Sequence, residues 1–177
     1  MKKIKRLVIE LIIFAVAILA DQLTKSWAVS ALKDKEPIPI IKNVVEFYYL
    51  PNGNTGAAFG MFKGQQGMFL VIASVVVVVI GYILYNMPFD KKFRILNVLL
   101  VLIAAGGVGN MIDRAMQKYV VDFIYISCIN FPIFNVADMY VSISTVLLAI
   151  LLLFVIKEDD YKEITDAIKS PFKKKTE

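Results

Sequence analysis

Residues 68–87 read MFLVIASVVVVVIGYILYNM, a run without one charged side chain. A helix of that length rises about 30 Å, the thickness of a bilayer's hydrocarbon core. Three more apolar blocks flank it: Leu7 to Leu32, Ile95 to about Ile112, and Met139 to Ile156. Over the whole chain, 58% of residues are hydrophobic and the mean hydropathy is +0.67. A soluble domain of 177 residues has no interior for that much apolar surface, whereas lipid accommodates it. The expected fold is a membrane all-α protein of four transmembrane helices, spanning about 7–32, 68–87, 95–112 and 139–156. No repeat or linker divides it, so residues 1–177 are expected to form one domain with outer loops 33–67 and 113–138.

The first block resembles a secretory signal, because Lys2, Lys3, Lys5 and Arg6 precede it. Cleavage after Ala20 would place Ile18 where a small residue is needed, and the apolar run resumes past Lys25. It reads as a retained helix. Basic residues also crowd the second-to-third helix hinge (Lys91, Lys92, Arg94) and the tail (Lys157, Lys162, Lys169, Lys173 to Lys175). The loops 33–67 and 113–138 are poorer in them for their length. This bias puts both termini in the cytoplasm and both loops outside a cell membrane. The net charge of +5 is thus accounted for at helix ends and implies no nucleic-acid partner.

The first outer loop carries strand-like segments at Ile38–Ile41 and Val44–Leu50. They predict a small β-rich cradle at the membrane interface, with Phe47, Tyr48 and Tyr49 as aromatic anchors.

Composition also narrows the chemistry. The chain has no histidine, which excludes zinc-peptidase motifs, serine triads and Cys–His dyads. Its single cysteine, Cys128, makes no intramolecular disulfide and reads as a small apolar residue. Nothing calls for a metal or organic cofactor. Catalysis would have to come from carboxylates, Lys, Ser or Tyr.

Charges in a spanning helix each cost about 2.5–3.5 kcal/mol unless they face protein or water. Asp21 and Lys25, four apart, share one face of the first helix and are placed to pair. Asn54 lies in GNTGAAFG (53–60), where the backbone can turn tightly, and GGVGNMIDR (106–114) closes the third helix with Asn110 and Asp113 on one face. VVDFI (120–124) sets Asp122 in an apolar, β-prone stretch, and FNVAD (134–138) brings Asn135 and Asp138 to the start of the fourth helix. Asp138 taken alone is explained as a helix cap. Topology nevertheless carries Asp21, Asp113, Asp122 and Asp138 to one membrane boundary. Two carboxylates about 4 Å apart repel by roughly 4 kcal/mol at an effective dielectric of about 20, some three pKa units. They would share one proton, as aspartic proteases do.

Other readings compete. A transporter or channel would place its charges near the bilayer midplane, against the uncharged second and fourth helices. A Ser/Lys peptidase using Ser26 or Ser30 with Lys25 has the groups pointing apart on a helix. A scaffold leaves the aspartates unexplained.

The segments DQLTK (21–25), GNTGAAFG, GGVGNMIDR, VVDFI and FNVAD together closely resemble the motifs of lipoprotein signal peptidase, or signal peptidase II. The resemblance covers essentially the whole chain, in order. It implies an aspartic endopeptidase with Asp122 and Asp138 as its catalytic pair. It further implies that Asn54, Asn110, Arg114 and Asn135 line the site and that Asp21 and Lys25 support it; Asp113, one turn after Asn110 and beside Arg114, reads from those neighbours as part of a structural ion pair. The implied substrates are bacterial prolipoproteins carrying a diacylglyceryl-modified cysteine, cut just before that cysteine by a monomer in the inner membrane. Met139, directly after Asp138, departs from the family's usual small polar residue.

Overall fold

A computed structural model of the chain describes residues 2–56 and 65–172, excepting the side chains of Lys2 and Phe172. Four long helices run through it: α1 (Lys2–Leu32), α2 (Gln66–Asn86), α3 (Arg94–Gln117) and α4 (Val136–Phe154). All four are long and apolar enough to cross a membrane. Their outward faces are stripped of polar groups: Leu11, Val16, Leu19 and Leu23 on α1, Val71, Val75 and Val78 on α2, and Val146, Leu147 and Leu153 on α4 are all exposed. In water such surface would aggregate; in lipid it is the solvated side.

Helix α3 is the central post, packed against α1, α2 and α4, and its apolar span is half buried against 17% or less for the others. Small residues make this possible. A Cβ on Gly106 would lie 2.5 Å from Ala137 O, and one on Gly109 would lie 2.5 Å from Asp21 Oδ2. Without hydrophobic driving force between helices, such close backbone approach is what holds a membrane bundle together. Helix α3 continues past its apolar run to Gln117, so Asp113 and Arg114 ride its last turn. Lys118 then ends it in the left-handed conformation (φ 66°), its N–H donating to Arg114 O.

The ends of the bundle are unlike. At one end Phe93, Leu96, Leu100, Ile80 and Met87 form an apolar core, and Arg6 donates to the last carbonyls of α2, at 2.7 Å to both Leu84 O and Met87 O. An amphipathic helix α5 (Glu158–Lys169) folds back there: Lys92 pairs with Asp160 (2.6 Å) and Glu163 (2.7 Å), and Tyr82 donates to Ile168 O. The tail thus forms a helix tied to the hinge by these contacts, with none of its residues buried.

The other end carries the three-stranded antiparallel sheet, in the order β1 (Ile38–Ile41), β2 (Val45–Phe47), β3 (Ile124–Tyr125). The third strand comes from the second loop, not the first. Under the sheet Ala28, Leu32, Tyr49, Val121 and Phe123 are buried together, and Trp27 stacks edge-on against Phe47 (5.0 Å) and Phe123 (6.1 Å). Tyr49, expected as an interfacial anchor, is instead 7% exposed, because it closes this core.

Candidate active site

Asp122 sits in an extended segment clamped on both sides. Leu50 N–H donates to Asp122 O and Tyr48 N–H to Phe123 O, while Asn54 and Val120 exchange both backbone bonds (2.8 and 2.9 Å). On the far side Ile124 and Phe134 exchange another pair. A turn through Asn52 and Gly53, both left-handed (φ 64° and 65°), delivers Asn54 to this ladder. Gly53 admits no side chain, since a Cβ would fall inside the Tyr119 ring. The last four residues of GNTGAAFG, 57–60, lie outside the described residues.

Asp138 is held by the start of α4. Asn135 caps that helix, its Oδ1 accepting from Asp138 N–H (3.0 Å), and Asp138 Oδ2 accepts from Asn135 N–H (3.2 Å). This reciprocal capping box satisfies two of the helix's orphan donors. The cap that the sequence suggests for Asp138 therefore exists, and it coexists with a place in the polar site.

Three asparagines join the two carboxylates. Asn135 Nδ2 donates to Asp122 Oδ1 at 2.6 Å and Asn54 Nδ2 to Asp122 Oδ2 at 2.9 Å. Asn110 Nδ2 donates to Asp138 Oδ1 at 2.8 Å, and Asn135 Nδ2 also reaches Asn110 Oδ1 at 3.2 Å. Every carboxylate oxygen thus takes one N–H from the protein. Among the described residues neither Asp122 nor Asp138 forms an ion pair. Burial, and next the charge of Asp138, push Asp122 up to about 7; the bonds from Asn54 and Asn135 and the charge of Lys25 pull the other way.

Deeper in the bundle a second cluster surrounds Lys25. Its ammonium meets Asp21 Oδ2 at 2.9 Å, Asp113 Oδ2 at 3.1 Å and Asn110 Oδ1 at 2.9 Å. Asp21 Oδ1 accepts from Ala137 N–H (3.0 Å), tying α1 to the first turn of α4, and Asp113 Oδ2 accepts from Val121 N–H (3.0 Å). Asp113 thus pairs with Lys25 across helices rather than with its neighbour Arg114. Gln22 had no role in the sequence reading, yet its amide reaches Asp21 Oδ2, Asp113 Oδ1 and Gly109 O at 3.0–3.2 Å. The one signal for it was an amide beside an aspartate within an apolar helix.

The two carboxylates open into a cleft of about 850 Å³, lined by Asn54, Asn110, Arg114, Asp122 and Asp138 on its polar side and by Phe131, Ile133, Met139 and Ile143 on its apolar side. Arg114 stands in its wall, bonded to Gly56 O (3.2 Å) and lying over the Phe69 ring. Met139 faces this cleft and leaves the capping box and the Asn110–Asp138 bond in place. Among the described residues no three acidic or thiol groups are arranged to hold a metal ion. The arrangement suits acid–base chemistry on a polar bond presented from an apolar milieu.

Comparison with known proteins agrees with this chemistry. The family model for signal peptidase (SPase) II matches residues 13–154. A lipoprotein signal peptidase of Clostridium tetani is 43% identical over 157 residues, covering 87% of this chain and 96% of the relative. One from Streptococcus pyogenes is 42% identical over 158 residues, covering 89% of this chain and 97% of the relative. Two solved bacterial membrane enzymes superpose with TM-scores of 0.68 and 0.69 at 27% and 29% identity, covering 95% and 82% of this chain and 93% of each neighbour. The chain belongs to the signal peptidase II family of aspartic endopeptidases.

Proposed function

We propose that this enzyme removes signal peptides from diacylglyceryl-modified prolipoproteins, cutting before the lipidated cysteine with Asp122 and Asp138. The observation that carries the reading is the pair of carboxylates at the cleft, joined through Asn135 and Asn110 and touched by no cation. Near neutral pH such a pair holds one proton. Asp122, whose affinity for a proton is raised, carries it. Ionised Asp138 takes a proton from water as the oxygen attacks the scissile carbonyl. Asp122 donates to the developing oxyanion, giving a tetrahedral diol. Collapse returns a proton to Asp122 and passes one from Asp138 to the leaving amine. The products are a carboxylate on the signal peptide and a free amine on the cysteine.

The supporting residues have distinct parts. Asn54 and Asn135 orient Asp122, Asn110 orients Asp138, and Arg114 faces the substrate backbone from the cleft wall. Asp21, Lys25 and Asp113 hold the helices that present them. Acyl chains beside the scissile bond would lie along Phe131, Ile133, Met139 and Ile143, in contact with membrane lipid.

In this reading residues 1–177 are a single membrane peptidase domain acting as a monomer in a bacterial inner membrane. Both termini are cytoplasmic and the site lies near the outer face, as the basic-residue bias supports. The test is direct. Purified enzyme incubated with a diacylated prolipoprotein should yield a product shortened to the lipidated cysteine, and the unlipidated precursor should persist. Equal cleavage of both precursors would overturn the substrate assignment.

A further inference from the structure

The orientation of the Asn110 amide is set from outside the dyad. Lys25 Nζ can only donate, so the atom it meets at 2.9 Å is Asn110 Oδ1. That leaves Nδ2 to face Asp138 Oδ1 at 2.8 Å, and Asn135 Nδ2 supports the same orientation at 3.2 Å. Turned over, the amide would present its NH2 to an ammonium and its carbonyl to a carboxylate, and all three bonds would fail together. The remaining two protons of Lys25 go to Asp21 and Asp113, so the ammonium is saturated and, at 3% side-chain exposure, has nowhere to move.

We propose that Lys25 is a positioning residue for cleavage: through Asn110 it holds an N–H on Asp138 and so keeps that carboxylate in the ionised, water-activating form. This rests on the dyad reading above. The charged groups around Asp138 are Asp21 and Lys25 from α1, Arg114 from α3 and Asp122 from the following loop, with Asp113 of α3 on the far side of Lys25. Asp21, Lys25 and Asp113 together carry net charge −1 when all are ionised. Beside its charge, Lys25 reaches Asp138 through a directed bond, because polarisation of the Asn110 carbonyl by the cation sharpens its N–H as a donor.

Charge bookkeeping supplies a clean test. The double variant Lys25→Met/Asp113→Asn leaves the cluster at −1 but removes the donor to Asn110, while Asp113→Asn alone keeps the donor. For the double variant, kcat on a diacylated lipopeptide should fall by about tenfold to a hundredfold with KM within about twofold. The acid limb of its kcat/KM profile should move up by about one pH unit, because the ionised form of Asp138 has lost a donor. Asp113→Asn alone should keep that limb in place or lower it slightly. Adding Asn110→Leu to the double variant should cost clearly less than the product of the two separate losses, since both act through one amide.

A double variant that loses melting temperature but keeps the wild-type pH profile, or whose loss adds to that of Asn110→Leu, overturns the proposal and makes Lys25 purely structural. If the double variant accumulates poorly, Lys25→Met/Asp21→Asn has the same net charge and the same expected profile. Failure of the wild type to cleave the lipopeptide would instead sink the dyad reading, which separates the two outcomes.

Discussion

Two pairs of aspartates lie on either side of Asn110, and they are built in opposite ways. Asp21 and Asp113 share a lysine, and backbone N–H groups of Ala137 and Val121 complete them. Asp122 and Asp138 share only neutral amides and face a cleft. A buried cation pairs with both carboxylates and makes them a clasp between α1, α3 and α4. Neutral donors solvate a carboxylate without fixing its charge, which in the proposed mechanism leaves the second pair a proton to exchange. In the proposed mechanism the same side chain serves as fastener or catalyst according to whether a cation touches it.

The sharpest break in that comparison is in the second pair. Asp122→Asn and Asp138→Asn should each reduce cleavage by at least about a thousandfold, and the double variant should be no worse than either, as for residues acting as one unit. Their melting temperatures at neutral pH should not fall below the wild type's. Strong residual cleavage by Asp122→Asn would dissolve the distinction.

The first pair should fail in the other way. Asp113→Asn removes one anion from the clasp and should cost about 1–3 kcal/mol of stability, with cleavage per folded molecule nearly retained. Gly109→Ala presses a methyl group on Asp21, which three hydrogen-bonded partners hold in place, and should cost a similar amount. Gly107→Ala, two residues earlier and with its nearest neighbour 3.7 Å away, should change stability by less than about 0.5 kcal/mol. Thermal melts of the three in one detergent check the ranking.

Titration sharpens the comparison further. Activity should fall as pH rises through about 7, where Asp122 gives up its proton. Its carboxyl binds a proton more tightly in the folded than in the unfolded chain, whose value is about 3.9. The stability this contributes is fully present below about pH 4 and gone above about pH 7. Asp122→Asn lacks that decline, so its melting temperature relative to wild type should climb between pH 4 and 7 and then level off. A constant difference across that window would show that Asp122 titrates at its ordinary value.

The smallest effect is expected at the rim. Gly56 N–H donates to Asn54 Oδ1 (2.9 Å) and Gly56 O accepts from Arg114, so Gly56→Pro frees one side of Asn54 without touching either aspartate. KM for the lipopeptide should rise by about three- to tenfold with insertion and melting unchanged. Unaltered kinetics would mark this loop as passive.

Much of this was written in the chain itself. Apolar run length prescribed four helices because lipid leaves a backbone no other way to satisfy its polar groups. The pairing of Asp21 with Lys25 follows from a four-residue spacing, and the capping box at Asn135 and Asp138 from a three-residue one. Such contacts lie within one turn of helix, where sequence distance is spatial distance. The partner of Asp113, the bridging by Gln22, the strand that β3 lends to the sheet and the burial of Tyr49 were not legible. Each depends on how far α3 is rotated and how closely α1 and α4 approach it. Those quantities are set by the missing side chains of Gly106 and Gly109, whose effect exists only once three helices are in place. Sequence alone determined that these aspartates would lie among apolar helices and that Asp21 would meet Lys25; packing decided which second aspartate shared the lysine, and hence which pair faces the cleft with neutral donors only.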